Sequence, residues 1–191
     1  MKENMTDTLR TIGANIGQTE RHKEDFYATH PDATRKLLDT EKFDKNIWEC
    51  CAGEGHISKV LEEYGYKVKS TELFDRGYGE TGVNFLECEE IFKGDIITNP
   101  PYKDAQKFIE KMLSLVEDGS RVACFLKIQF LESQSRQKLF KEHPPRYIYV
   151  FSKRVNCAKN GRFDLYPSSA VCYAWFIWEK GFKGEPVVRW L

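Results

Sequence analysis

The sequence has no excess of charge of either sign and no long apolar run. Lys and Arg total 29, as do Asp and Glu, so the formal net charge is zero. This balance argues against a protein that coats nucleic acid by bulk charge, although it leaves room for a local basic face. No apolar stretch is long enough to cross a membrane, and the N-terminus MKENMTDTLR lacks the apolar centre of a signal peptide. These absences predict a cytoplasmic protein.

The six cysteines contain no C-x-x-C pair, so their spacing supports no zinc site, and we expect no metal. Four of them lie in apolar runs that are typical of strands. A thiol in such a run is usually a small buried hydrophobe of a protein from a reducing compartment. These four are Cys50, Cys51, Cys124 and Cys172.

The 191 residues are enough for one domain. Residues 1–22 are polar and have no periodic apolar face, which predicts a flexible N-terminal arm before a single domain over 23–191. Within that domain, short apolar runs alternate with amphipathic helical stripes, which predicts an α/β fold with a mostly parallel sheet and helices on both faces. The predicted strands cover 47–51, 66–71, 95–98, 121–128, 147–151 and 171–179, and the predicted helices cover 31–38, 57–64, 108–116 and 132–141.

Local signals refine this outline. Thr29 is placed to cap the first helix, and Gly65 to end the second. No helical pattern separates the last two strands. The polar loop between them contains Asn160-Gly161, which predicts an antiparallel hairpin at an edge of the sheet.

A short glycine turn follows the first predicted strand. Gly53 and Gly55 allow a tight turn with positive φ and let a ligand approach the backbone closely. Glu72 follows about 20 residues later, where an acid at a strand end can accept hydrogen bonds from both hydroxyls of a ribose. Asp75 is a rival for this role. Phe85 belongs either to the core or to the wall of an adenine site.

The most specific signal is Asn99-Pro100-Pro101-Tyr102, which directly follows a buried strand. The two prolines stiffen the turn and remove backbone donors. The turn therefore presents two acceptors, the Asn99 side-chain oxygen and the Pro100 carbonyl, beside the flat ring of Tyr102. Two acceptors on a planar amino group raise the electron density of its nitrogen and orient it toward an electrophile. We expect all four residues to be catalytic.

With this tetrapeptide, the chain resembles the class I S-adenosylmethionine-dependent adenine-N6 DNA methyltransferases, especially phage- and prophage-borne members without a separate target-recognition domain. The resemblance covers Phe26 to Trp178. It implies a Rossmann-like fold, S-adenosylmethionine as the cofactor and methyl transfer to the N6 amino group of adenine. The chain has no room for a conventional target-recognition domain, so loops would supply any sequence specificity.

The same resemblance implies the cofactor contacts. The segment from Asp25 to Pro31 is similar to the family's N-terminal cofactor motif, and Glu49 with the glycine turn is similar to its glycine motif. The residue before Phe85 is commonly Asp in the family. Here it is Asn84, which accepts hydrogen bonds only through its amide oxygen. The implied cofactor-binding residues are Tyr27, Thr29, Pro31, Glu49, Cys51, Gly53, Gly55, Glu72, Asn84, Phe85 and Asn99.

A basic segment lies near the C-terminus. Between Lys153 and Phe163 there are four basic residues and no acid. Basic groups beside an aromatic ring suit phosphate contacts and stacking on an extruded base, although a solvated hairpin tip has the same composition. The family has a late aromatic residue that contacts the flipped adenine, and Phe163 is our choice for it, with Tyr166 as the alternative. The predicted substrate-binding residues are Tyr102, Lys103, Lys153, Arg154, Lys159, Arg162 and Phe163, with Lys107 as a further phosphate contact.

We therefore expect nucleic acid, DNA first, as the partner. RNA adenine is an open alternative, because the tetrapeptide contacts the base and not the sugar. Glutamine N5-methyltransferases use the same tetrapeptide but carry an N-terminal helical domain, for which the segment before Phe26 is short. A non-catalytic scaffold is less consistent with a complete tetrapeptide. No histidine has a catalytic pattern around it, and His56 is expected only to cap a helix.

Overall fold

The computed structural model describes residues 26–159, 161–165 and 171–191. The predicted arm over 1–22, Asn160 of the expected hairpin and the alternative aromatic Tyr166 lie outside these ranges. The assignment of 23–191 to one domain stays a prediction. In the described ranges, no helix has the length and apolar character needed to cross a membrane.

Strands and helices alternate along the described chain. The strands are β1 (Tyr27–Thr29), β2 (Asn46–Glu49), β3 (Lys67–Glu72), β4 (Glu80–Thr81), β5 (Asp95–Thr98), β6 (Arg121–Lys127), β7 (Tyr147–Val150), β8 (Cys157–Lys159), β9 (Tyr173–Glu179) and β10 (Val187–Trp190). The α-helices are α1 (Pro31–Thr40), α2 (His56–Glu63), α3 (Ala105–Leu115) and α4 (Gln137–Glu142). Short 3-10 helices cover Phe85–Glu87, Ile128–Leu131, Gln134–Arg136 and Phe163–Leu165.

Eight strands form one sheet in the order β10-β7-β9-β6-β5-β2-β3-β4. Neighbouring strands are parallel except at β9, which runs antiparallel to both β6 and β7. Because β3 lies on one side of β2 and β5 on the other, the chain changes direction across the sheet at β2. Such a reversal opens a crevice beyond the carboxyl ends of the strands, where ligands of α/β proteins bind. The predicted α/β fold with a mostly parallel sheet is confirmed.

Alternating side chains of the central strands build a core on each face of the sheet. On one face, Ile47 and Ile97 pack with α1 and α2. On the other face, Trp48 and Ile96 pack with α3. These four side chains are at most 2% exposed. The helices on both faces hold β2 and β5 rigidly, and so fix the positions at which the two strands end.

Two helices differ from the prediction. Helix α1 continues to Thr40, and its cap is His30, whose Nδ1 accepts a hydrogen bond from the Asp32 amide at 3.3 Å. Thr29 does not cap it, because Thr29 ends β1 and its hydroxyl is used at the site described below. The predicted helix over 132–141 is instead a 3-10 turn followed by the short α4. There the Arg136 guanidinium binds main-chain carbonyls of the preceding turn, which holds it tight.

The predicted C-terminal antiparallel hairpin is confirmed, but its predicted place at an edge of the sheet is wrong. Strands β7 and β9 do pair antiparallel, but β9 lies inside the sheet, and the edge strand is β10, which no sequence pattern predicted. The chain between β7 and β9 contains β8, which pairs with β1 in a separate two-stranded sheet. Tyr27 lies opposite Lys159, and Thr29 opposite Cys157. The basic segment therefore contains a strand that pairs with the N-terminal strand β1, and it is not simply the tip of a hairpin.

The cysteines are all free thiols. Cys124 lies inside β6, as predicted. Cys50 and Cys51 instead fall in the turn after β2, and Cys172 directly precedes β9, because each of these strands is shorter than its apolar run.

Candidate active site

A cavity of about 170 Å³ opens beyond the carboxyl ends of β2, β3 and β5. It collects residues from six separate stretches of sequence, because neighbouring parallel strands end at the same edge of the sheet. Most of the residues predicted from the tetrapeptide and from the cofactor motifs line it. The predicted residues at its wall are Tyr27, Cys51, Glu72, Asn84, Phe85, Asn99, Pro100, Pro101 and Tyr102.

The side-chain amide of Asn99 has a defined orientation. Its Nδ2 donates to the Tyr27 carbonyl at 2.8 Å and to the Thr29 hydroxyl at 3.0 Å. A main-chain carbonyl only accepts hydrogen bonds, so the amide atom facing Tyr27 must be the nitrogen. Both donors of Asn99 are therefore held by β1, which leaves Oδ1 as the atom that can accept a hydrogen bond from a ligand.

The proline turn connects β5 to α3. The Pro101 carbonyl accepts a hydrogen bond from the Asp104 amide at 3.0 Å, and the helix begins at the next residue, Ala105. Neither proline has an N–H that the turn would need to satisfy. The turn therefore presents the Asn99 side chain at the end of a buried strand, as predicted. The role of the Pro100 carbonyl as a second acceptor stays a prediction.

Tyr102 is packed among residues of the last strands. Its hydroxyl lies 3.4 Å from Cys157 Sγ, and Lys127 Nζ lies 5.2 Å from the centre of its ring. The Tyr173 ring lies 6.1 Å away, centre to centre. Burial raises the pKa of Tyr102 well above its usual value, so its phenol stays neutral. Tyr102 can therefore act as a flat, uncharged wall.

Sequence reasoning missed Lys127 and Tyr173. Lys127 ends β6 and Tyr173 begins the antiparallel β9, directly opposite it. Because β6 is parallel to β5, Lys127 ends at the same edge of the sheet as Asn99. A lysine at the end of an otherwise apolar predicted strand was a signal that could have identified it.

The glycine turn and Glu72 are joined. The Glu72 carboxylate accepts hydrogen bonds from the Gly53 amide at 2.8 Å through Oε2 and from the Leu73 amide at 2.9 Å through Oε1. Glu72 also lines the cavity, whereas its rival Asp75 accepts from the Gly77 amide and is not among the lining residues. The geometry therefore favours Glu72 for the predicted contact with a diol.

No side chain could replace hydrogen at the two turn glycines. Gly53 has φ of +55° and Gly55 of +80°, a conformation that L side chains rarely adopt. A Cβ on Gly53 would lie 2.1 Å from the Phe26 ring, and one on Gly55 would lie 2.6 Å from the Tyr78 ring. The Arg76 guanidinium lies 5.0 Å from the centre of the Phe26 ring. Two aromatic rings thus lie directly on the turn.

Glu49 is buried and lies behind the turn. Its Oε2 accepts hydrogen bonds from both the amide and the hydroxyl of Ser58, so it holds the first turn of α2. Burial raises its pKa well above the usual value. Glu49 does not line the large cavity. It lines a smaller one that shares Phe26, Tyr27, Cys51 and Asn99 with it.

Asn84 and Phe85 also line the larger cavity. The Asn84 Oδ1 accepts from the Leu86 amide at 3.3 Å, and its Nδ2 donates to Glu87 at 2.6 Å, so Asn84 caps the 3-10 helix over Phe85–Glu87. The Phe85 ring stacks on Phe108 at 5.6 Å, with 18° between the planes. Phe85 is 2% exposed but also lines the cavity, so it belongs both to the core and to the wall.

Two predicted contacts are placed elsewhere. Pro31 is the first residue of α1 and lines neither cavity. The Phe163 ring packs edge-on against His30 at 5.0 Å and His56 at 5.5 Å, and it also lies outside both walls. The roles implied for Pro31 and Phe163 stay predictions.

The basic residues differ in their environment. Lys153, Arg154, Arg162 and Lys103 are exposed, and Lys159 is half-buried in β8. Arg162 binds Asp164 through two hydrogen bonds of 3.0 and 2.9 Å, and Lys107 binds Asp104 at 2.9 Å. Because β7 is parallel to β6, the loop that follows β7 is at the same edge of the sheet as the cavity.

The sequence matches no protein-family model, and no curated protein sequence is significantly similar to it. Its fold, however, is found in solved structures. One is a modification subunit of a provisionally named type I restriction enzyme from Vibrio vulnificus YJ016, with a TM-score of 0.61 and 12% identity over 97% of this chain and 49% of that one. This chain therefore spans about half the length of that subunit.

Two other structures have a similar size. A provisionally named RNA methyltransferase from Pyrococcus horikoshii has a TM-score of 0.56 and 14% identity over 82% of this chain and 87% of its own. A SAM-dependent O-methyltransferase from Thermotoga maritima has a TM-score of 0.57 and 16% identity over 84% of this chain and 69% of its own. The chain has the class I methyltransferase fold. The similar structures are named for methyl transfer to oxygen, for RNA methylation and for restriction modification. The fold alone therefore does not identify the atom that accepts the methyl group.

Proposed function

We propose that the protein transfers a methyl group from S-adenosylmethionine to the N6 amino group of adenine in DNA. The observation that carries the proposal is the orientation of Asn99. Its two amide hydrogens are held by Tyr27 and Thr29, so Oδ1 is left to accept from an amino group. The acceptor belongs to a complete Asn-Pro-Pro-Tyr turn in the wall of the cavity beyond β2, β3 and β5.

The residues present fit the cofactor. A turn of two glycines has no room for a Cβ, and the Glu72 carboxylate, suited to a diol, lies beside it. When bound, the cofactor supplies a methyl group on a positively charged sulfur, which is already reactive. The enzyme therefore needs to position an amino group more than it needs to activate the methyl.

The protein's own residues would act on the amino group. Asn99 Oδ1 and the Pro100 carbonyl accept its two hydrogens, which raises the electron density on nitrogen and aims its lone pair. The neutral ring of Tyr102 holds the plane of the base. These residues would position the nitrogen for attack on the methyl carbon, which the cofactor would release from its sulfur, and the surplus proton would leave afterwards to solvent. Fixed acceptors of this kind typically contribute about 10²–10³ to the rate.

Several features support nucleic acid as the substrate. Lys103, Lys127 and Lys153 lie along the edge of the sheet that holds the cavity, where they suit phosphate contacts. Two of the structures with this fold are named for restriction-modification and for RNA methylation. RNA adenine is the second candidate, because the Asn-Pro-Pro-Tyr turn contacts the base and not the sugar.

The test is label transfer from methyl-labelled S-adenosylmethionine, offered in parallel with duplex DNA, structured RNA and a protein carrying an exposed glutamine. We expect label in DNA as N6-methyladenine. Asn99→Ala should lower the rate about 100-fold or more by removing one acceptor. Asn46→Ala is the matched control, because Asn46 lies at the amino end of β2. Label confined to RNA or protein would contradict the DNA assignment, and full activity of Asn99→Ala would contradict the mechanism.

A further inference from the structure

His56 has a buried nitrogen without a partner among the described residues. Its side chain is 23% exposed, but Nδ1 is buried and makes no hydrogen bond within the described ranges. Leaving a buried polar atom without a hydrogen bond is costly, so such an atom calls for an explanation, such as strain or a partner that binds there. His56 is the first residue of α2, directly after the glycine turn.

His56 lines the smaller cavity, together with Thr29, Glu49 and Asn99. The other polar groups of this wall are already engaged. The Thr29 hydroxyl accepts from Asn99, and the Glu49 carboxylate accepts from Ser58. Among the buried side-chain nitrogen and oxygen atoms of this wall, Nδ1 of His56 is the one that makes no hydrogen bond within the described residues.

The position of the two cavities indicates which part of the cofactor would reach His56. Glu72, Asn84 and Phe85 line the larger cavity, where they suit the ribose and the adenine ring. Asn99 lines both cavities and marks the place of methyl transfer. The sulfur carries adenosine on one arm and an amino acid on the other. With adenosine in the larger cavity, the amino-acid arm would reach the smaller one past residues that line both cavities, Asn99 among them.

The surroundings also indicate which ring nitrogen carries the proton. Nε2 of His56 lies 3.9 Å from a carboxylate oxygen of Glu54, which favours the proton on Nε2 and leaves a lone pair on Nδ1. Burial lowers the pKa of His56, with smaller influences from Glu54, Lys59 and His30. At neutral pH the imidazole is therefore uncharged, and Nδ1 is an acceptor that suits a cationic donor.

We propose that Nδ1 of His56 accepts a hydrogen bond from the α-ammonium group on the amino-acid arm of S-adenosylmethionine. This inference rests on the proposed function, because it needs that cofactor in the larger cavity. It gives the orphaned atom a partner and makes His56 a cofactor-binding residue. The competing arrangement, in which Nδ1–H donates to the α-carboxylate, needs the opposite tautomer and has the opposite pH dependence.

The experiment is calorimetric binding of two probes, S-adenosylhomocysteine and 5′-methylthioadenosine. The second has the same adenosine and sulfur but no amino-acid arm. We expect His56→Leu to weaken S-adenosylhomocysteine about tenfold or more, the usual effect of losing a hydrogen bond to a charged group, and to leave 5′-methylthioadenosine unchanged. His56→Asn places an amide oxygen near the position of Nδ1 and should recover most of the affinity. Equal loss for both probes would mean structural damage and overturn the assignment.

The pH dependence distinguishes the two tautomers. The charged or titratable groups around His56 are Glu54, Lys59, His30 and, across the cavity, Glu49. Between pH 7.5 and 5, the wild type should lose affinity for S-adenosylhomocysteine as Nδ1 takes up a proton, whereas His56→Leu should show a flatter profile. The NMR titration of the His56 ring should move to lower pH when S-adenosylhomocysteine is added.

Two results would contradict the inference in different ways. Tighter binding at low pH would assign His56 to the carboxylate, and wild-type affinity in His56→Leu would remove it from the site. If the wild type bound neither probe, the proposed function itself would fail.

Discussion

The side-chain amide nitrogen of Asn99 lies 2.8 Å from the main-chain carbonyl of Tyr27, although 72 residues separate them in sequence. This contact is possible because β1 is fixed by its pairing with β8. The N-terminal segment therefore orients the side chain at the end of β5. The segment that we predict to bind the cofactor and the turn that we predict to be catalytic lie far apart in the sequence, but hydrogen bonds join them in the structure.

The first prediction concerns Thr29, which holds the second hydrogen of the same amide at 3.0 Å. Thr29→Val keeps the shape of this 2% exposed side chain but removes its acceptor. Removing a hydrogen bond worth about 1–1.5 kcal/mol should lower kcat by about tenfold, because the amide of Asn99 is less well oriented. Steady-state methylation kinetics measure this effect.

Thr29→Ser is the matched control, because it keeps the hydroxyl and should retain kcat within about a factor of three. If the Val and Ser variants had equally low kcat, the loss of activity would come from altered packing at Thr29 and not from the lost hydrogen bond to Asn99.

The orientation of the Asn99 side-chain amide could not be predicted from the sequence. The tetrapeptide and its strand were predictable, because four residues of strand β5 run directly into two prolines. The partner of Asn99 depends on a pair of three-residue strands, β1 and β8, that lie far apart in sequence. Strands this short have too few residues to show a periodic pattern. The sequence thus predicted Asn99 as the acceptor, but it did not predict the hydrogen bonds to β1 that orient its side chain.

The second prediction separates Glu72 from Asp75. Glu72→Gln keeps the length of the side chain but removes the charge and one acceptor from the cavity wall. We expect affinity for S-adenosylhomocysteine to fall about tenfold or more, because hydrogen bonds to charged groups are typically worth about 1.5–3 kcal/mol. Asp75→Asn, at an acid that accepts a hydrogen bond from the Gly77 amide and does not line the cavity, should leave affinity unchanged. A larger effect of Asp75→Asn in calorimetric binding would reverse the assignment.

The outer strands show where sequence reasoning fails and why. Strand β9 was recognised from its apolar residues, but its place between β6 and β7 is a property of the assembled sheet. Strand β10 has exposed residues throughout, including Trp190 at 69% exposure, so no buried face produces an alternating pattern. The basic segment was recognised from its charge, whereas the pairing of Arg162 with Asp164 requires the 3-10 turn that joins them.

The third prediction concerns the basic residues at the cavity edge of the sheet. Replacing Lys103, Lys127 and Lys153 by Ala should weaken DNA binding and reduce the salt slope of log K by about 0.9 for each phosphate that the variant no longer neutralises. The matched control is Lys67→Ala with Lys93→Ala, which lie at the amino ends of β3 and β5. Fluorescence anisotropy at several salt concentrations gives both slopes. Equal slopes for the two sets would remove this edge from the interface.

A fourth prediction uses Asp164, which engages Arg162 through two hydrogen bonds. Asp164→Asn removes the negative charge directly after the basic segment and releases the Arg162 guanidinium, so DNA should bind more tightly and with a steeper salt slope. Glu80→Gln removes one charge at β4, the far edge of the sheet, and should have little effect. Unchanged affinity in Asp164→Asn would place the Arg162 side chain outside the contact with DNA.

The last prediction concerns the buried carboxyl of Glu49. Burial raises its pKa well above the usual value in the folded protein, whereas in the unfolded chain it titrates normally. The folded state therefore binds more protons over the pH range between these two values, and the free energy of unfolding falls as pH rises through it, by up to about 1.4 kcal/mol per pH unit. Glu49→Gln stays neutral and keeps an acceptor for the Ser58 amide.

Urea unfolding of both proteins at pH 5 and pH 8 isolates this effect, because the other titrating groups contribute equally to each. We expect the wild type to lose stability relative to Glu49→Gln as the pH increases. Glu90→Gln, at an exposed position, should show no such trend. If the difference between wild type and Glu49→Gln were constant, or grew in favour of the wild type at pH 8, the carboxyl would be charged in the folded protein. The Glu49 carboxylate could then bind the ammonium group of the cofactor in the smaller cavity. In that case Glu49 and His56 would both be partners of this group.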